Sequence, residues 1–266
     1  MSVITISRGS YSKGKEIAEK LAQRLGYECI SRDIFLEASE LFNIPEVKLI
    51  RAIHDAPSVL DRFRYGKEKY IAFIRDALLQ HIQKDNIVYH GLAGHFFTSG
   101  IPGILKARII ANIEDRVKEE IRREGISEKE ARYMLKKDDE ERQKWSQYLY
   151  GIDTRDPNLY DIVLHIDNLS VDDAVNILSQ TVQLPCFHTT PESRMILQDK
   201  FLAAKAYSAI VSKFPKANVR SKVGVVFVSI KPHLSSQAKV VKQIEDILKD
   251  IDGIEEVRIH TIPPRT

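Results

Sequence analysis

The N-terminal stretch constrains this chain more than any other. A short apolar run, Val3-Ile4-Thr5-Ile6-Ser7, leads into Gly9-Ser10-Tyr11-Ser12-Lys13-Gly14-Lys15. An amphipathic helix follows to Leu25, with Ile17, Ala18, Leu21, Ala22 and Leu25 on one face and Gly26 where a helix stop is expected. Strand, glycine-bounded turn and helix, in that order, are what a G-x-x-x-x-G-K loop needs to hold phosphate. Glycine lets the backbone turn tightly, so that successive N–H groups face one anion. The helix start adds its positive dipole end, and the lysine ammonium reaches the outer phosphates. The candidate phosphate-binding residues are therefore Gly9, Ser10, Tyr11, Ser12, Lys13, Gly14, Lys15 and Glu16. Glu16 stands where Ser or Thr usually offers a hydroxyl to magnesium. A carboxylate there either meets the metal itself or is an ordinary surface residue in the first helical turn, where the helix dipole favours it.

Behind this start, apolar strand-sized runs alternate with helical patterns. YECI (27–30), IVYHG (87–91), ARIIANI (107–113) and DIVLHID (161–167) read as strands. Residues 33–53, 67–84, 127–150 and 170–184 read as helices, the third opened by the capping box Ser127-Glu128-Lys129-Glu130. The alternation predicts an α/β fold, a mostly parallel sheet covered by helices on both faces. The pattern changes at LPCFHTTPES (184–193), a linker candidate. Beyond it come a helix (193–213), a strand KVGVVFVSI (222–230), a helix (235–251) and a strand EEVRIHTI (255–262). Two domains are expected: residues 1–186, and a smaller α/β domain over 193–266.

Composition narrows the function classes. Forty basic and 37 acidic side chains leave a formal charge of +3, too balanced for the concentrated basic surface of a nucleic-acid binder, so no nucleic-acid partner is expected. No apolar run approaches the ~20 residues of a membrane span, and no leader-like segment precedes the first strand. With two cysteines, Cys29 and Cys186, far apart in the chain, a reduced cytoplasmic protein is the expectation. His90 and His95 flank Gly91 and Gly94, but no carboxylate or cysteine neighbours them in sequence, and a strand end with its loop is the plainer reading than a metal site. Arg32-Asp33 fits a substrate contact or a helix cap, and Asp167 a ligand contact or a turn cap.

ITISRGSYSKGKEIAEKLAQRLGY with ISRDIF, then IVYHGLAGHFF, then ILKARIIANIEDRVKEEIRREGISEKEARYMLKKDDEERQKW and YDIVLHIDNLSVDDAVNIL, resemble in order and spacing the cytidylate kinase-like family, relatives of the nucleoside monophosphate kinases that carry the same phosphate-binding loop. The likeness covers roughly residues 1–183 and implies a nucleotide-binding fold of the P-loop type. It also implies an ATP-dependent kinase working with Mg2+ on nucleotide small molecules. It places Gly9, Gly14 and Lys15 on the triphosphate, Arg116 after a strand facing the phosphates, and Asp139 and Arg142 as an Asp-x-x-Arg pair arranging phosphates as a lid closes. Read without it, Asp139 and Arg142 are equally a solvated helical ion pair. Two departures bear on catalysis: Glu16 replaces the metal-binding hydroxyl, and Leu92 stands where the family has the arginine of a Gly-Arg pair. They leave open a nucleotide-binding sensor with little transfer activity, signalling through the C-terminal part. The sequence specifies no metal ligands. The C-terminal strands resemble a BON domain, a small α/β module, and imply a regulatory or interaction role with an unidentified ligand.

Overall fold

The computed structural model describes residues 2–9, 12–31, 66–91, 94–231 and 237–262. Ser10, Tyr11, Leu92, the expected helix over 33–53, and Arg32 and Asp33 lie outside the described residues.

Five strands form one parallel sheet: β1 (Val3–Arg8), β2 (Glu28–Ile30), β3 (Ile87–Tyr89), β4 (Ile104–Ala111) and β5 (Ile162–Ile166), in the order β2-β3-β1-β4-β5. Their period-2 alternation is apolar on both faces, as a parallel sheet requires. Ile4, Ile6, Val88, Leu105, Ala107, Ile109 and Leu164 face helices α1 (Gly14–Leu25) and α6 (Val171–Thr181). Val3, Ile87, Tyr89 and Ile104 face the opposite layer, built mainly by α2 (Gly66–Ile82) and the one-turn α3 (Gly94–Phe97). Strand β4 starts at Ile104 rather than at Ala107. Between β4 and β5 an antiparallel helical hairpin, α4 (Ile113–Glu124) and α5 (Glu128–Tyr150), has a small core of its own from Val117, Ala131 and Leu135.

A second, C-terminal sheet has the order β6 (Asn218–Lys222), β7 (Val225–Ile230), β8 (Glu256–Thr261), with β6 antiparallel and β8 parallel to β7. The single strand expected over 222–230 is in fact the end of a hairpin. Val223 (φ 47°) and Gly224 (φ 73°) make a two-residue turn, and NVRSK, half exposed and polar on alternate positions, is its first strand. Helix α7 (Pro191–Ile210) starts within the linker candidate, on a capping box between Thr190 and Ser193. It lies between the two sheets. Leu197 and Ala204 join the core of α2, whereas Leu202, Ala206 and Ile210 join Val226, Val228, Ile244 and Leu248 of the C-terminal sheet and α8 (Gln237–Leu248). A helix buried on both sides needs apolar residues all round, which is why α7 shows no single stripe in sequence.

Candidate functional site

The expected loop runs from the end of β1 to α1 at the carboxyl edge of the parallel sheet, where open α/β sheets gather ligands. Neighbouring β4 braces it: Gly9 N–H donates to Ile109 O at 3.3 Å, and the buried Ser12 hydroxyl lies 3.0 Å from Gly9 O and 3.1 Å from Ile109 O. Lys13 takes a left-handed conformation (φ 64°) to enter the helix. Gly14 is required by space, since a Cβ there would lie 2.7 Å from Arg8 Cβ. Gly9 has no such demand: its nearest described neighbour for a Cβ is Ser12 at 3.9 Å.

No side chain caps the start of α1. Helices α5, α6 and α7 open on the capping boxes of Ser127, Ser170 and Thr190, whereas α4, like α1, has no side-chain cap bond. The first N–H groups of a helix need acceptors, and an uncapped start beside a glycine turn is ready to take them from an anion. Lys15 extends along the outside of α1, 64% exposed, 3.6 Å from Glu19. Such an i,i+4 pair is worth only ~0.3–0.5 kcal/mol, so little holds the ammonium there. Glu16 lies 3.4 Å from Lys20, which also reaches Asp172 of α6 at 3.0 Å. Its carboxylate therefore serves the helix surface.

The hairpin α4–α5 brings the remaining expected residues beside the loop. Arg116, in the first turn of α4 and 9% exposed, pairs with Asp139 of α5 at 2.8 Å. Arg142 Nη1 lies 3.4 Å from Arg8 O, the last residue of β1, and Lys13 reaches Glu119 of α4 at 3.5 Å. Arg8, Lys13, Arg116, Glu119, Asp139 and Arg142, distant in sequence, thus share one edge of the sheet. Among the described residues no group of three His, Cys, Asp or Glu is placed to hold a metal ion.

Sequence reading missed a polar cluster on the α2–α3 face of the same edge. Arg108 of β4 stands beside Ser7 of β1 in register. Its Nη1 donates to Ser7 Oγ at 3.2 Å and to the Tyr160 hydroxyl at 3.3 Å. The Tyr160 hydroxyl donates to Thr154 O at 2.8 Å and lies 3.4 Å from His95 Nε2. Burial, then the positive charges of Arg108 and Lys106, push the His95 pKa down to about 3, so its ring is neutral. The signal available was the alternation in ILKARIIA: Lys106 and Arg108 put charges on one face of an otherwise apolar strand.

Known proteins resemble this chain in sequence and in fold. The family model described as "Cytidylate kinase-like family" matches residues 3–168. A curated protein named cytidylate kinase, from Methanopyrus kandleri, is 25% identical over 193 residues, spanning 68% of this chain and 92% of its own. The crystal structure of an uncharacterized protein from Eubacterium ventriosum superposes with a TM-score of 0.53 at 22% identity, covering 68% of this chain and 97% of the other, a likeness of fold.

Proposed function

The chain belongs to the cytidylate kinase-like family, and from that premise we propose that it is an ATP-dependent nucleoside monophosphate kinase acting on a cytidylate-like acceptor. The observation that carries this is the uncapped, glycine-gated start of α1, braced on Ile109, with Arg116, Asp139 and Arg142 gathered beside it. An oxygen of the acceptor phosphate attacks the γ-phosphorus of ATP, the bond to the bridging oxygen breaks, and the β-phosphate of ADP takes that electron pair. The protein's work is positioning and charge compensation. The loop amides and Lys15, released from Glu19, hold the triphosphate. Arg116, oriented by Asp139, and Arg142 on the hinge beside β1 approach the phosphates as α4–α5 closes.

Magnesium is implied by the family, but the described residues do not form its ligand set. Ser12 spends its hydroxyl proton on backbone carbonyls, and Glu16 is engaged with Lys20. The ion would ride on phosphate oxygens and water, and no step is assigned to it. Glu16 and Leu92 favour a second reading, a nucleotide sensor of low transfer activity. Helix α7, shared by both sheets, gives such a sensor a route from the C-terminal unit to α2. That unit has the order α7-β6-β7-α8-β8, and a BON-like binding role for it belongs to the same proposal. Among the described residues no helix is long and apolar enough to cross a membrane; the cytoplasmic location expected from the cysteine usage stays part of this proposal.

Diphosphate formation from CMP, UMP, AMP and GMP, measured by coupled assay, separates the readings. The kinase reading expects turnover of a pyrimidine monophosphate by the natural protein. Its absence, with ATP still bound, leaves the sensor. A gain in rate from Glu16→Ser with Leu92→Arg, compared with both single variants, identifies those positions as the lesions.

A further inference from the structure

The cations along the carboxyl edge of the parallel sheet differ in how their charge is met. Lys13 has Glu119 and Arg116 has Asp139, while Lys106, nearer the start of β4, has Asp161 at 3.8 Å. Arg108, part-buried on β4, has no carboxylate within ion-pair distance among the described residues. Its partners are two hydroxyls and the face of the Tyr160 ring, 5.6 Å away. Asp153, whose carboxyl feels the charge of Arg108, is bound by Arg155 at 2.6 Å. Taking a charge partly out of water without a counter-charge is unfavourable, and in an α/β cleft it is the usual mark of a group awaiting an anion.

The guanidinium is also held. Nη1 is fixed by Ser7 and by Tyr160, which is itself tied to Thr154 O. Nε and Nη2, the parallel pair suited to bidentate phosphate contact, make no hydrogen bond among the described residues. Position completes the case. Arg108 precedes Ile109, whose carbonyl braces the phosphate loop, and its side chain leaves the sheet on the face opposite α1. Loop and guanidinium thus lie on opposite faces of β1 and β4, so Arg108 is distinct from the loop's own donors.

We propose that Arg108, braced by Ser7 and Tyr160, is the binding residue for the acceptor's own phosphate, so that the substrate class of this face is a phosphomonoester rather than a neutral alcohol. This rests on the kinase reading above. His95, neutral behind the cluster, adds no positive charge beside the guanidinium.

The test is calorimetric titration of CMP, and separately of a non-hydrolysable ATP analogue, into the natural protein, Arg108→Gln and Arg108→Lys, with the ligand-free thermal midpoint of each. Arg108→Gln is expected to weaken CMP roughly ten- to hundredfold and leave the ATP analogue within about twofold. Its midpoint should equal or exceed the natural one, because an uncompensated charge has been removed. Arg108→Lys should fall between, keeping charge without the fork. Two results overturn the assignment and spare the kinase reading: unchanged CMP affinity in Arg108→Gln, or loss of both ligands together with a lowered midpoint, which makes Arg108 a packing residue. If the natural protein binds the ATP analogue but none of CMP, UMP, AMP and GMP, the monophosphate acceptor itself is excluded, and this assignment with it.

Discussion

At the contact between α2 and α7 the buried Asp76 takes a 2.5 Å hydrogen bond from the Ser208 hydroxyl, and Lys205 is its nearest favourable charge. At the carboxyl edge of the parallel sheet, buried His95 and part-buried Arg108 share hydroxyl partners, and no carboxylate lies within ion-pair distance of the guanidinium. The first arrangement is closed: a polar pair joins two helices, with the shared core of α7 around it. The second keeps a cation whose charge nothing nearby cancels. In this pair of sites, the polar group within the packing has its partner, whereas the edge leaves some of that potential unmet.

The difference has pH consequences of opposite sign. His95 titrates near 6.5 when unfolded and at about 3 in the fold, so its contribution is complete above pH 6.5 and is lost as pH falls toward 3. The upper bound is roughly 4–5 kcal/mol. His95→Gln should flatten the acid limb of a denaturation series between pH 6.5 and 4, and an unchanged limb would show that His95 is solvated in solution. The carboxyl of Asp76 is raised by burial, against the weaker pull of Ser208 and Lys205. A raised acid works the other way: stability is greatest while the group is protonated in both states, and declines as pH rises from the ordinary carboxyl value of 3.8 through the raised one. Asp76→Asn keeps an acceptor for Ser208 without the charge, and should stabilise the neutral-pH protein by about 1 kcal/mol. Destabilisation at pH 7 by denaturant titration would mean that the carboxylate is paired more strongly than Ser208 and Lys205 explain.

The phosphate loop and its helix were legible in sequence because their signals are local. The strand, the glycine turn and α1 follow one another within a single stretch, and the capping boxes at Ser127 and Ser170 announce α5 and α6 three residues at a time. What sequence concealed depends on register and on distant partners. Arg108 becomes a neighbour of Ser7 only once β4 pairs with β1, and Tyr160 reaches both from the far side of α5. Strand β6 was hidden by its polar alternation and by a turn whose first residue, Val223, is β-branched at positive φ. The double burial of α7 was hidden because each of its faces answers to a different sheet.

The central claim is that the loop from Gly9 to Lys15 binds a nucleoside triphosphate. Calorimetric titration of ATP with magnesium into the natural protein and Lys15→Ala tests it most directly. The account predicts saturable binding by the natural protein and a loss of roughly a hundredfold in the variant, from removal of a charge-assisted phosphate contact. The thermal midpoint of the ligand-free variant should barely move, since Lys15 gives up only its exposed pair with Glu19. Equal ATP affinity in the two proteins would contradict the account and remove Lys15 from the site.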